Sequence, residues 1–80
     1  MDRLAPKPQH YNRTMLNNIG QKRGVGVEYS ERTTGPPRQP IWTSVVYLNR
    51  HEYGRGTAST KFKARELAAE KALALIARGY

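Results

Sequence analysis

Along the 80 residues, apolar positions change their spacing four times, and each change marks an element. From about His10 to Arg23, Met15, Leu16 and Ile19 recur at helical spacing; Gly20 weakens this pattern, and Gly24 and Gly26 close it. From Val27 to Thr34 the period falls to two, with Val27 and Tyr29 alternating with Glu28 and Ser30 as in a half-buried strand. The segment GPPRQP, with Gly35, Pro36, Pro37 and Pro40, predicts a long, stiff turn. Ile41 to Leu48 carries the strongest strand signal, with Trp42, Val46 and Leu48 on one face and Thr43, Val45 and Tyr47 on the other. Asn49 and Arg50 suit a tight turn, after which His51 to about Thr57 returns as a third strand, running into a glycine loop, Gly54-Arg55-Gly56. Thr60 to about Arg78 reads as helix throughout, with an apolar stripe of Ala64, Leu67, Ala68, Ala72, Leu75 and Ile76. Thr60, or alternatively Ser59, serves as N-cap, and Gly79 as stop signal.

The order α-β-β-β-α predicts an α+β fold in which a three-stranded antiparallel sheet carries both helices on one face, the simplest way to bury every stripe. Small alanines on the last helix allow it to lie close to the sheet. Residues 1–9, punctuated by Pro6 and Pro8, form a flexible tail, residues 10–78 the domain, and residues 79–80 its C-terminal end.

Charge narrows the choice of partner. A formal net charge of +8 suits a polyanion, nucleic acid first and an anionic membrane surface second. No apolar run approaches the roughly 20 residues of a membrane span, and MDRLAPKPQ lacks the apolar core of a signal peptide. The absence of cysteine removes disulfides and thiolate metal sites and is compatible with an intracellular setting, cytoplasmic or nuclear. Asp2, Glu28, Glu31, Glu52, Glu66 and Glu70 form no spaced cluster for a two-metal site, and His10 and His51 lack metal-binding spacing. The expectation is a binding module without cofactor or metal, either whole or a part of a larger enzyme.

The stretch TKFKAR points to the ligand. A helix N-terminus carries partial positive charge and unpaired N–H groups, yet Lys61, Lys63 and Arg65 lie at this one, with no acid before Glu66. Phosphate is the natural occupant of such an end.

The runs GPPRQPIW and EYGRGTASTKFKARELAAEKAL resemble the double-stranded RNA-binding domain family, whose signature joins a Gly-Pro-x-His-type loop to a glycine-spaced stretch and Ser-Lys-Lys-x-Ala-Lys-x-x-Ala-Ala. MLNNIGQKRGVGVEY is similar to the family's first helix and its entry into the first strand. The resemblance implies recognition of A-form duplex by shape, with little sequence specificity. The first helix would lie in one minor groove, the loop between the first two strands in the next, and the start of the last helix on the phosphates between them, over about 16 base pairs.

The resemblance assigns Thr14 and Asn18 of the first helix to 2′-hydroxyls or base edges, and Gly35 and Pro36 to the loop. Arg38 stands where histidine is usual and can still donate to sugar, base edge or phosphate, so the resemblance implies that the contact survives with altered geometry and more charge; an exposed cation in a proline-rich turn is the alternative reading. Lys61 and Arg65, at i and i+4, match two of three phosphate-binding cations, and both side chains are expected to be exposed. Phe62 occupies the third position and Lys63 is displaced by one residue, roughly 100° around the helix. That departure implies weaker binding than in a fully matching domain. It leaves three readings of Phe62: facing phosphate, packing beneath the helix start, or meeting a protein partner.

A second function class is a protein-interaction or dimerisation module, for which Val45, Tyr47 and Phe62 are the apolar contacts. The two functions are compatible. A membrane-surface role ranks last, because the helices lack large apolar residues for a lipid-facing side.

Overall fold

The structure, a computed structural model, describes residues 11–80. The expected tail of residues 1–9 and the helix start at His10 lie outside that range. The elements follow the predicted order: α1 (Tyr11–Arg23), β1 (Val27–Thr34), β2 (Ile41–Leu48), β3 (His51–Ala58) and α2 (Lys61–Ala77). The strands form one antiparallel sheet in the order β1-β2-β3, and the two helices cover its inner face.

Local chemistry explains most boundaries. Asn49 and Arg50 both have positive φ, 51° and 70°, the pair of left-handed residues that a two-residue hairpin needs to match the twist of its strands. The helices end alike. Gly24 N–H donates to the Gln21 carbonyl and Val25 N–H to that of Gly20; Gly79 and Tyr80 donate likewise to Ile76 and Leu75. Each end thus satisfies carbonyls that the helix leaves orphaned, with a glycine in the left-handed region. Thr60 is the N-cap of α2, its Oγ1 accepting from Lys63 N–H at 3.1 Å.

The core is small. Leu16 of α1, Val46 and Leu48 of β2, and Ala68, Ala69 and Ala72 of α2 are buried, with Val25, Val27, Tyr29, Tyr53, Leu73 and Ile76 packed around them. Two stripe residues depart from expectation: Met15 and Leu67 are 36% and 37% exposed. Met15 lies one helical step from Leu16 and so faces away from the core that Leu16 fills. Leu67 has its Cβ against Gly56 of β3.

The glycine loop expected at 54–56 is instead strand. β3 continues through Gly54 and Gly56 to Ala58, with an irregularity that leaves Tyr53 as an extra residue opposite Val46 and Tyr47. Here glycine serves the packing and not a turn. A Cβ on Gly56 would fall 2.7 Å from both the Ala64 carbonyl oxygen and the Ala68 nitrogen, and one on Gly54 would meet the Ala68 carbonyl oxygen. Helix backbone therefore rests directly on strand backbone, with Ala64, Ala68 and Ala72 lining the seam. Ser44, opposite Gly56 on β2, is small and fully buried, which continues the close approach.

Gly56→Ala is predicted to destabilise the domain by about 3 kcal/mol, the upper end of the range for overpacking, because the obstructing atoms, two of the helix backbone and the Leu67 Cβ, cannot rotate away. Urea denaturation of the variant beside the parent measures it; a loss under about 1 kcal/mol would mean that the seam yields.

Candidate nucleic-acid interface

Glu66 is the residue around which the two helices meet. Among the described residues, helix α1 has no acid in its first turn to receive its leading N–H groups. Glu66 of α2 supplies one across the interface: Asn12 N–H donates to Oε1 at 3.1 Å, and Arg13 N–H to Oε2 at 3.2 Å. Arg13 Nε also donates to Oε2, at 3.0 Å. One carboxylate thus caps α1, complements its dipole and pairs a guanidinium. The same Arg13 guanidinium lies 4.5 Å from the Phe62 ring centroid. Phe62 is half-buried at the helix joint. The ring therefore lies against Arg13 of α1, where the two helices meet.

Below this joint opens a shallow cleft of about 390 Å³, lined by Arg13, Thr14 and Asn17 of α1, Tyr29 of β1 and Arg65 of α2. Arg65 departs from the sequence-based expectation. It is half-buried, because its Nε donates to Glu31 Oε2 at 2.6 Å and its guanidinium stands 5.6 Å from the Tyr29 ring centroid. The hydrogen bond from Arg65 holds the Glu31 carboxyl below the usual carboxylate range, against a smaller opposing effect of burial. A carboxyl depressed in the folded state stabilises the fold above its ordinary value of 4.5, and that contribution is lost as pH falls through the depressed value. Burial pushes the Tyr29 phenol up to about 12, so it remains a neutral hydroxyl. That hydroxyl is buried and has no hydrogen-bond partner among the described residues.

At the start of α2, Lys61 and Lys63 are exposed, and neither pairs with a carboxylate among the described residues. Lys61 Nζ lies 5.8 Å from the Trp42 ring centroid, a weak cation–π contact that leaves the ammonium in solvent. The turn between β1 and β2 closes with Gln39 N–H donating to the Pro36 carbonyl at 3.0 Å, which places Pro37 and exposed Arg38 at its tip. Gly35 precedes it at φ 90°. A groove of about 680 Å³ runs from this turn to the entry of α2, lined by Pro36, Arg38, Gln39, Pro40, Ile41, Thr57, Ala58 and Ser59. The start of α2 therefore adjoins α1 on one side and the β1–β2 turn on the other.

Thr14 and Asn18 are both exposed on α1, but it is Asn17 that joins Thr14 in the cleft wall. Val45 and Tyr47 lie on the open face of the sheet, each half-buried, around a hollow shared with Arg32, Thr43 and Arg55. Arg55 there pairs with Glu52, so charge interrupts the apolar surface. Sequence reasoning missed Arg13, Asn17, Tyr29, Glu31 and Glu66 as parts of this site. Two signals were present: a helix without its own N-terminal anion, and a two-residue period in β1 that carries Glu31 to the inner face with Val27 and Tyr29.

Residues 13–76 match the family described as double-stranded RNA binding motif. The chain belongs to that family. It is 34% identical over 64 residues to ribonuclease 3 of Corynebacterium efficiens, covering 80% of this chain and 26% of that protein. Ribonuclease 3 of Ligilactobacillus salivarius is 36% identical over 64 residues, covering 78% and 28%. The chain thus spans about a quarter of the length of these relatives. Among solved structures, the first dsRBD of protein HYL1 superposes with a TM-score of 0.72 at 25% identity, covering 81% of this chain and 94% of that one. The structure of both dsRBDs of DRB4 does so at 0.72 and 30%, covering 95% and 51%. No helix among the described residues is long and apolar enough to cross a membrane, and no group of three or more potential ligands there could hold a metal ion.

Glu66→Ala is predicted to cost about 2 kcal/mol, the top of the range for a lost cap, because two helix N–H groups and Arg13 lose their acceptor together. Amide exchange should accelerate first at Asn12 and Arg13. Equal protection in variant and parent would show that α1 is held by its apolar face alone.

Proposed function

We propose that this chain binds double-stranded RNA by shape, without catalysing a reaction, through α1, the β1–β2 turn and the start of α2. The observation that carries this reading is the junction at α2. Its exposed Lys61 and Lys63 stand between the cleft beside α1 and the groove leading to the Arg38 turn. In A-form RNA the minor grooves are wide and carry 2′-hydroxyls, whereas the major groove is bordered by phosphates and closed to side chains. Thr14 and Asn18, joined by Asn17, supply hydrogen-bonding groups for one minor groove. Gly35, Pro36 and Arg38 reach the next, and Lys61 and Lys63 meet the intervening phosphates. The proline-braced turn holds Arg38 exposed at its tip at little entropic cost.

The open sheet face supports a second, compatible reading, contact with a protein or a second copy of the chain. Its basis is the half-buried apolar pair Val45 and Tyr47. Replacing both with glutamate should abolish any self-association seen in sedimentation while leaving RNA affinity within about twofold.

Titration with matched duplex RNA, duplex DNA and single-stranded RNA tests the main reading. Duplex RNA should bind tightest, and Lys61→Glu combined with Lys63→Glu should weaken it by more than about tenfold, with unchanged melting temperature. Equal affinity for duplex DNA would reduce the interaction to general polyanion binding.

A further inference from the structure

Three cations stand in the first turns of α2, Lys61 and Arg65 at i and i+4 on one face and Lys63 apart from them, and they are not equivalent. Lys61 and Lys63 are unpaired among the described residues, whereas Arg65 is held by Glu31 at 2.6 Å with the Tyr29 ring beside it. We propose that Glu31 is a charge gate on Arg65: its carboxylate takes, in the free chain, the place that an RNA phosphate would otherwise take at that guanidinium. This rests on the duplex RNA reading above.

The placement of the pair carries the argument. Arg65 lines the open cleft between α1 and α2 with its side chain 32% exposed, so solvent and a phosphodiester can reach it. Glu31 lies behind it at 14% exposure, on the inner face of β1. A phosphate that approaches Arg65 has two routes. It can share the guanidinium, in which case two anions stand within a few ångströms and repel each other in a partly desolvated cleft. It can displace the carboxylate, in which case Glu31 is left charged, largely buried and unpaired. Both routes are penalised by the same negative charge. The chain thereby holds a third cation on its candidate RNA surface that contributes to folding more than to binding, and its affinity is set chiefly by Lys61, Lys63 and Arg38.

Glu31→Gln tests the gate with little change of shape, since the carboxamide oxygen can still accept from Arg65 Nε. Affinity for duplex RNA should rise by roughly tenfold or more, the worth of one charge-assisted contact, and the slope of log affinity against log salt should steepen by up to about 0.9. Both gains should vanish in an Arg65→Gln background, which separates release of Arg65 from a mere change in net charge. Weaker or unchanged binding by a folded Glu31→Gln variant would overturn the gate and make Glu31 a support for Arg65 instead. A second measurement needs no variant: on saturation of the unmodified chain with duplex RNA, the NMR signal of Arg65 Nε–H should stay close to its free position, and a large shift would overturn the proposal. The two readings fail differently. If the unmodified chain shows no preference for duplex RNA, the binding reading falls and the gate with it; if it binds as expected and Glu31→Gln binds no tighter, only the gate falls.

Discussion

The close seating of α2 on β3 is the constraint on which the remaining structure depends. Because Gly54 and Gly56 present bare backbone to Ala64, Ala68 and Ala72, the helix settles lower than any side chain at those strand positions would permit. A fixed height and axis for α2 then fix what its other sides can reach. One side lays Ala69, Leu73 and Ile76 toward the core that α1 completes with Leu16. The leading end brings Lys61 beside Trp42 and Arg65 within bonding distance of Glu31. In a domain with so few large buried side chains, dispersion contacts along a backbone-to-backbone seam replace the bulk that a larger core would supply.

The carboxylates, scarce in so basic a chain, are placed with economy. Glu66 holds α1 to α2 by capping it from outside, Glu31 ties α2 to β1, and Glu52 pairs with Arg55 on the far sheet face. The first two are partly buried and act between elements, where loss of one partner leaves the other charge in a poor solvent. The third is exposed and joins neighbours in one strand, where such pairs contribute little. Ion pairing thus divides the cations into those that assemble the fold, Arg13 and Arg65, and those left facing solvent, among them Lys61, Lys63 and Arg38. The second group faces solvent without a carboxylate partner among the described residues.

This division also separates positions of the family signature that are paired inside the fold from those that face solvent. A cation matched by position can be diverted inward by one carboxylate on a neighbouring strand, as Arg65 is. An aromatic residue in a cation's position can instead support a helix joint, as Phe62 does beneath Arg13. The chain therefore keeps the family's architecture while the partners of individual side chains are its own.

The sequence by itself determined the elements, their order and the helix ends, because these follow from short-range physics: spacing of apolar residues, proline and glycine punctuation, the Asn49-Arg50 turn, and Thr60 as cap. It also marked Lys61, Lys63, Arg38, Thr14 and Asn18 as exposed polar positions, since nothing local buries them. Where sequence reasoning fell short, the deciding partner lay far along the chain. Gly54 and Gly56 read as a loop until α2 is laid over them, and Met15 and Leu67 read as core until the helix axes are set. Glu66 reads as a solvated helix residue until the N-terminus of α1, 54 residues away in sequence, is brought to it. Arg65 reads as a free cation until β1, 34 residues away, presents Glu31. Such pairings are chosen by the geometry of close packing, and no local pattern encodes which distant charge or backbone will be the neighbour.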